Sequence, residues 1–131
     1  MRLYLVRHAE AEPGEPDQLR RLTAAGRRQA GLLAERLAAS RPRPAAVISS
    51  PLLRARETAE LLARPLGLEP VPDARLAPGA GPDDVRAAVA GLGEAVVVVG
   101  HQPDCGRIAA ALTGGPEPAF PPAGAFEVEL G

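Results

Sequence analysis

The run Ala95-Val96-Val97-Val98-Val99, followed at once by Gly100-His101, is the strongest strand signal in the chain: four consecutive valines after an alanine, stopped by a glycine and a histidine. Leu3-Tyr4-Leu5-Val6 near the start has the same design, a short continuous apolar run that ends abruptly in Arg7-His8. Runs of this length, apolar throughout, are expected to be buried strands. Ala45–Ile48 is a third such run and leads into Ser49-Ser50-Pro51.

Helical patterns alternate with these strands. Thr23 is expected to cap a helix reaching about Ser40, with Ala30, Leu33, Ala34 and Leu37 on one face. Arg41-Pro42-Arg43-Pro44 stops it. Ser50 is expected to cap a second helix, with Pro51 in its first position and its end near Arg64. Shorter helices are expected over Pro82–Ala90 and Pro103–Leu112. Gly67–Val71 reads as a further strand weakened by Pro70 and Pro72, and Phe126–Leu130 as a last strand with one polar face. Ala9–Gln18 and Ala74–Gly81 read as loops. Strands alternating with helices predict an α/β domain, a three-layer α/β/α sandwich on a mostly parallel central sheet. With 131 residues, no internal repeat and no long linker, residues 1–131 are expected to form one domain.

Composition excludes several activities. Net charge is -1 with no basic block, which argues against nucleic-acid and anionic-membrane binding. All fifteen basic residues are arginine, so a P-loop, which needs its lysine, is ruled out. Cys105 is the only cysteine, and it lacks an arginine six residues on: position 111 is alanine, so a tyrosine-phosphatase loop is absent. A single cysteine fits a reducing cytoplasm, and the short apolar run before Arg7-His8 is not expected to be a signal peptide. Two histidines far apart, without a local Asp/Glu/His ligand pattern, make a poor metal site, so neither metal nor cofactor is expected.

Parallel strands bring their carboxyl ends to one edge, where such sheets bind ligands. That edge would collect Arg7 and His8, then Ser50 and Arg54, then His101: both histidines of the chain between two arginines. The set suits phosphoryl transfer. A neutral imidazole can attack phosphorus, and arginine forks bind the equatorial oxygens bidentately.

The motifs that carry this set resemble those of the histidine phosphatase superfamily (phosphoglycerate mutase-like). "LVRHAEA" is similar to its RHG/RHA signature, and "LTAAGRRQA", "SSPLLRARETAELLA" and "VVVVGHQPD" are similar to later motifs in the same order. The resemblance implies that His8 accepts the phosphoryl group, that Arg7 and Arg54 hold it, and that His101 hydrogen-bonds it. The stretch "DQLRRLTAAG" and the short length resemble the SixA-like branch, the phosphohistidine phosphatases. This places Asp17 and Arg20 at the edge of the site, with Ser50, as further substrate-binding residues.

Many relatives that cleave phosphate esters carry a glutamate after the third strand, and Arg75–Gly81 has no carboxylate. A leaving imidazole, with a pKa of about 6.5, needs far less help from an acid than an alkoxide does. Few residues separate Leu76 from Gly91, so an open site without a lid is expected. The expected substrate is a phosphorylated protein carrying phosphohistidine, or alternatively a small phosphate ester, with Glu10, Glu12, Asp17, Asp83 or Asp104 as acid. A phosphate-binding module without turnover is the remaining alternative.

Overall fold

The computed structural model describes residues 1–131. A five-stranded sheet forms its middle layer, in the order β3-β2-β4-β1-β5. The strands are β1 (Arg2–Arg7), β2 (Ala46–Ser49), β3 (Val71–Pro72), β4 (Ala95–Gly100) and β5 (Ala125–Glu129). β1 and β2 both run parallel to β4, with Val6 and Ser49 each opposite Val99. Only β5 is antiparallel, paired along β1.

The alternation of side chains along each strand builds the two outer layers. Tyr4, Val6, Val47, Val97 and Val99 face one way and pack on Leu33 and Leu37 of α1 (Ala24–Ala38) and Leu62 of α2 (Leu53–Ala63). Leu3, Leu5, Ile48, Val96 and Val98 face the other way. They pack on Val85 and Val89 of α3 (Pro82–Val89) and Ile108 of α4 (Asp104–Thr113). The valine run is therefore buried on both faces, as its sequence requires. This is the three-layer α/β/α sandwich expected from the alternation of elements.

Three local expectations are corrected. The second helix begins at Leu53, and Ser50 does not cap it: Leu52 occupies that position without a side-chain hydrogen bond. The Ser50 hydroxyl instead accepts from the Leu52 amide at 3.2 Å and meets His101, so the chain makes a turn through Pro51 before the helix starts. The third strand shrinks to Val71–Pro72, paired only with Ile48 and Ser49. Gly67, at φ +70°, ends a 3-10 turn over Arg64–Leu66, and Pro70 has no N–H for a ladder. A 3-10 turn over Ala74–Leu76 interrupts the expected loop, with Asp73 accepting from the Arg75 amide.

Elsewhere the expected elements form within a residue or two. Thr23 caps α1 by accepting from the Gly26 amide at 2.9 Å. On β5, Glu127 and Glu129 share a face and pair with Arg2, while Val128 is buried. No helix is long and apolar enough to cross a membrane.

Candidate active site

The register of the sheet sets the site. His8 follows β1 directly, and its amide bonds the Gly100 carbonyl at 2.9 Å. Ser50 follows β2, its amide on the Val99 carbonyl at 2.9 Å. His101 follows β4. The ladder thus continues past the strand ends and fixes all three residues on one rigid edge. The two imidazole rings stand 5.3 Å apart, inclined by 59°.

His8 Nδ1 lies 2.7 Å from the Ala9 carbonyl oxygen. A carbonyl only accepts, so Nδ1 carries the proton of the neutral ring and Nε2 is left with its lone pair. Burial, and after it the charges of Arg54, Arg7 and Arg20, push the His8 pKa down to about 4; the bond to Ala9 opposes this. Burial, then His8 and Arg54, likewise lower His101 to about 4. Both rings are neutral at neutral pH.

His101 is buried, with Nε2 at 2.7 Å from Ser50 Oγ. Ser50 is itself fully buried and engaged by His101 and Leu52, so its hydroxyl supports His101 and is not presented at the surface of the site.

Each arginine is tethered by its far end. Arg7 Nη1 donates to the Phe120 carbonyl at 3.0 Å. Arg54, buried on the first turn of α2, donates through Nη1 to the Asp17 carbonyl at 2.9 Å and through Nη2 to Asp17 Oδ2 at 3.2 Å. The opposite oxygen, Asp17 Oδ1, accepts from Arg20 at 3.1 Å. Three buried side-chain nitrogens have no hydrogen-bond partner within the protein: Arg7 Nε, Arg54 Nε and His101 Nδ1. All three belong to this cluster. Buried polar atoms are normally paired, and unpaired ones on two arginines and an imidazole of one cluster suit a tetrahedral oxyanion.

Two supports were not visible in the sequence. Thr58 is fully buried; its hydroxyl accepts from the Ala9 amide at 3.0 Å and donates to the Arg54 carbonyl at 2.8 Å. It ties the residue after His8 to the helix carrying Arg54. Gly26 lets α1 approach the Glu10 backbone: a Cβ there would stand 2.1 Å from the Glu10 oxygen. The spacing of Thr58 four residues after Arg54 puts the two on one helix face, but nothing local points to Ala9.

Cys105 is buried beside the site, its thiol donating to the Val6 carbonyl at 3.7 Å. Burial, then Asp104, push its pKa up to about 12, so it is no nucleophile. Asp104 accepts from the Gly79 amide at 2.7 Å and lines a narrow apolar crevice next to His101.

Residues 3–78 match the model of the histidine phosphatase superfamily, branch 1. The chain belongs to the histidine phosphatase superfamily. It is a hydrolase, and its resemblance within the superfamily is to the SixA-like phosphatases. The solved structure of the protein histidine phosphatase SixA complexed with tungstate superposes with a TM-score of 0.89, at 28% identity over 99% of this chain and 88% of that one. A candidate phosphohistidine phosphatase SixA from Agrobacterium tumefaciens gives 0.73, at 32% identity over 86% and 77%. The same fold appears in a mycobacterial glucosyl-3-phosphoglycerate phosphatase, with a TM-score of 0.74 at 23% identity over 96% and 88%. An uncharacterized protein of Picosynechococcus sp. is 38% identical over 88% of this chain and 74% of its own.

Proposed function

We propose that this phosphatase hydrolyses phosphohistidine on a protein through a covalent intermediate on His8. Nε2 of His8 attacks phosphorus while Arg7 Nε, Arg54 Nε and His101 draw the equatorial oxygens. The reading takes the His101 tautomer in which Ser50 donates to Nε2 and the imidazole proton sits on Nδ1, the nitrogen without a protein partner. The P–N bond of the substrate breaks as the P–N bond to His8 forms, and the leaving imidazole departs neutral when its other nitrogen carries a proton. Water then attacks the phosphoryl group on His8, releasing phosphate and restoring Nε2. The SixA structure is a complex with tungstate, a tetrahedral oxyanion, which supports an oxyanion as the kind of ligand this chain takes.

The observation that carries the choice of substrate is the state of the nearby carboxylates. Asp17 is held below the usual carboxylate range by its bond to Arg20 and then by Arg54. Asp73 is held down in the same way by Arg75. Asp104 is engaged as an acceptor by Gly79, and Glu10 and Glu12 are exposed. A proton donor for an alkoxide needs a carboxyl kept protonated near neutrality, and Asp17 and Asp73 are held as anions instead. A leaving imidazole does not need such a donor. The single eight-residue helix between Leu76 and β4 leaves the site open enough for a side chain on a folded partner. A reducing, cytoplasmic setting belongs to the same reading, since the chain has one cysteine and it is buried.

The test compares phosphate release from a phosphohistidine protein, an aryl phosphate and a sugar phosphate. The reading expects the phosphohistidine protein and the activated aryl ester to be turned over, and the sugar phosphate to be poor. An acid-labile phosphoenzyme should be trapped in the wild type and lost in His8→Ala. Ready hydrolysis of sugar phosphates with none of phosphohistidine would favour a small-molecule phosphomonoesterase, and full turnover by His8→Ala would refute the intermediate.

A further inference from the structure

We infer that Asp17 is a positioning residue for Arg54, acting through that guanidinium and not by touching the phosphoryl group. The inference rests on the proposed role of Arg54 as an oxyanion ligand. An arginine has five N–H donors in a planar fork. Asp17 takes one from each terminal nitrogen, with its main-chain carbonyl on Nη1 and its carboxylate on Nη2. Two contacts from one residue fix both the position and the plane of the fork. The buried Nε is left without a protein partner.

The same carboxylate solves a second problem. Arg54 and Arg20 both act on His8, and their like charges would otherwise drive the long side chains apart. Asp17 presents one oxygen to each, Oδ1 to Arg20 and Oδ2 to Arg54. Arg20 is tied down in turn, its Nε donating to the Glu12 carbonyl at 2.7 Å. The 3-10 turn over Asp17–Leu19 therefore works as a clip on the guanidinium.

A carboxylate so close to an anion site also has a contrary effect, since it repels the anion and competes for Arg54. Two features decide between the effects. The Asp17 side chain is 54% exposed, so water screens its repulsion of a bound anion. Its hydrogen bonds occupy the terminal nitrogens and leave Nε, so it does not cover the unpaired donor. Holding a flexible arginine in its binding pose removes the ordering entropy that binding would otherwise cost.

The test is a double-mutant cycle on Asp17→Ala and Arg54→Ala, read as the dissociation constant for tungstate by calorimetry. Urea unfolding of each variant accompanies it. Asp17→Ala is expected to weaken tungstate binding by about tenfold, and to have little further effect in the Arg54→Ala background. Asp17→Asn, which keeps the main-chain acceptor and one side-chain oxygen, should recover part of the loss. Unchanged or tighter binding by Asp17→Ala would overturn the inference, because it would make the carboxylate a competitor of the anion. An equal loss in the Arg54→Ala background would overturn it too, by showing that Asp17 acts independently of Arg54. Arg54→Ala binding tungstate like the wild type would instead remove the reading of the site on which the inference rests.

Discussion

Lowering the pH from 7 to 4 should destabilise this protein through its two histidines, before its ion-paired aspartates protonate. Both imidazoles have a folded-state pKa near 4, against an ordinary value of 6.5. A depressed histidine pKa means that the unfolded chain binds the proton more readily than the folded one. Stability is therefore complete above about pH 6.5, falls as the pH drops through the window, and levels off below about pH 4. At about 1.4 kcal/mol per pH unit, the buried His101 accounts for about 3 kcal/mol, and the partly buried His8 for less, about 2 kcal/mol after allowing for solvent screening. Against a typical domain stability of about 5–15 kcal/mol this is a large fraction. Asp17 and Asp73, both held below 3.8, lose their contribution only as the pH falls further, so they do not blur the window. The assay is urea unfolding at intervals from pH 7.5 to 4, alongside an NMR titration of the imidazoles. With two histidines in the chain, the single variant His101→Asn assigns both signals. That variant should also flatten the larger part of the stability slope. Imidazole titrations centred near 6.5, or a wild-type stability that is flat between pH 6.5 and 4.5, would refute the assignment of both rings as neutral by burial.

Thr58→Val should lose about 1–3 kcal/mol by leaving the buried Ala9 amide unpaired, whereas Thr58→Ser, which keeps the hydroxyl, should stay within about 1 kcal/mol of the wild type. The measurement is the urea midpoint, and phosphatase activity should fall in the valine variant alone. Gly26→Ala should destabilise by about 1–3 kcal/mol even though alanine is the better helix former, because the new methyl meets a main-chain oxygen at 2.1 Å. Here the urea midpoint should drop, and a rise would show that α1 shifts freely away from the Glu10 backbone.

The site's placement was legible in the sequence because it depends on strand direction and strand ends. The runs Leu3–Val6 and Ala95–Val99 are apolar on both faces, which requires layers on both sides of a sheet and so a largely parallel arrangement. Parallel strands then leave no choice about where His8, Ser50 and His101 meet. What was not legible is how the side chains are held. The bonds of Asp17 to Arg54, Thr58 to Ala9 and Ser50 to His101 span 37, 49 and 51 residues and follow no local period. The expectation of Ser50 as a helix cap went wrong locally: its hydroxyl does accept from the Leu52 amide, but the chain turns through Pro51 and the helix starts only at Leu53. The bond of the same hydroxyl to His101 is the part that no local pattern shows. Prolines misled in a simpler way, since Pro70 leaves too few N–H groups for the strand expected over 67–71.

The arrangement of unpaired donors gives a final expectation. Arg7 Nε, Arg54 Nε and His101 Nδ1 are buried without protein partners, and a buried polar atom left unpaired costs about 1–3 kcal/mol. A fold that needed only stability would satisfy them, and the same chain does satisfy the far ends of both arginines with Phe120 and Asp17. Tethering one end of each guanidinium while leaving the other bare is what a preorganised anion site requires. An oxyanion that pairs the three atoms should therefore stabilise the protein, by about 2.7 kcal/mol at a concentration one hundred times its dissociation constant. For a domain of this size that is a rise in Tm of about 5–15 °C. It should be seen with tungstate at neutral pH, and it should be much reduced in Arg54→Ala. Sulfate at equal ionic strength in that variant controls for the general effect of salt on folding. A wild-type Tm that responds no more than Arg54→Ala would mean that these nitrogens do not converge on a common anion.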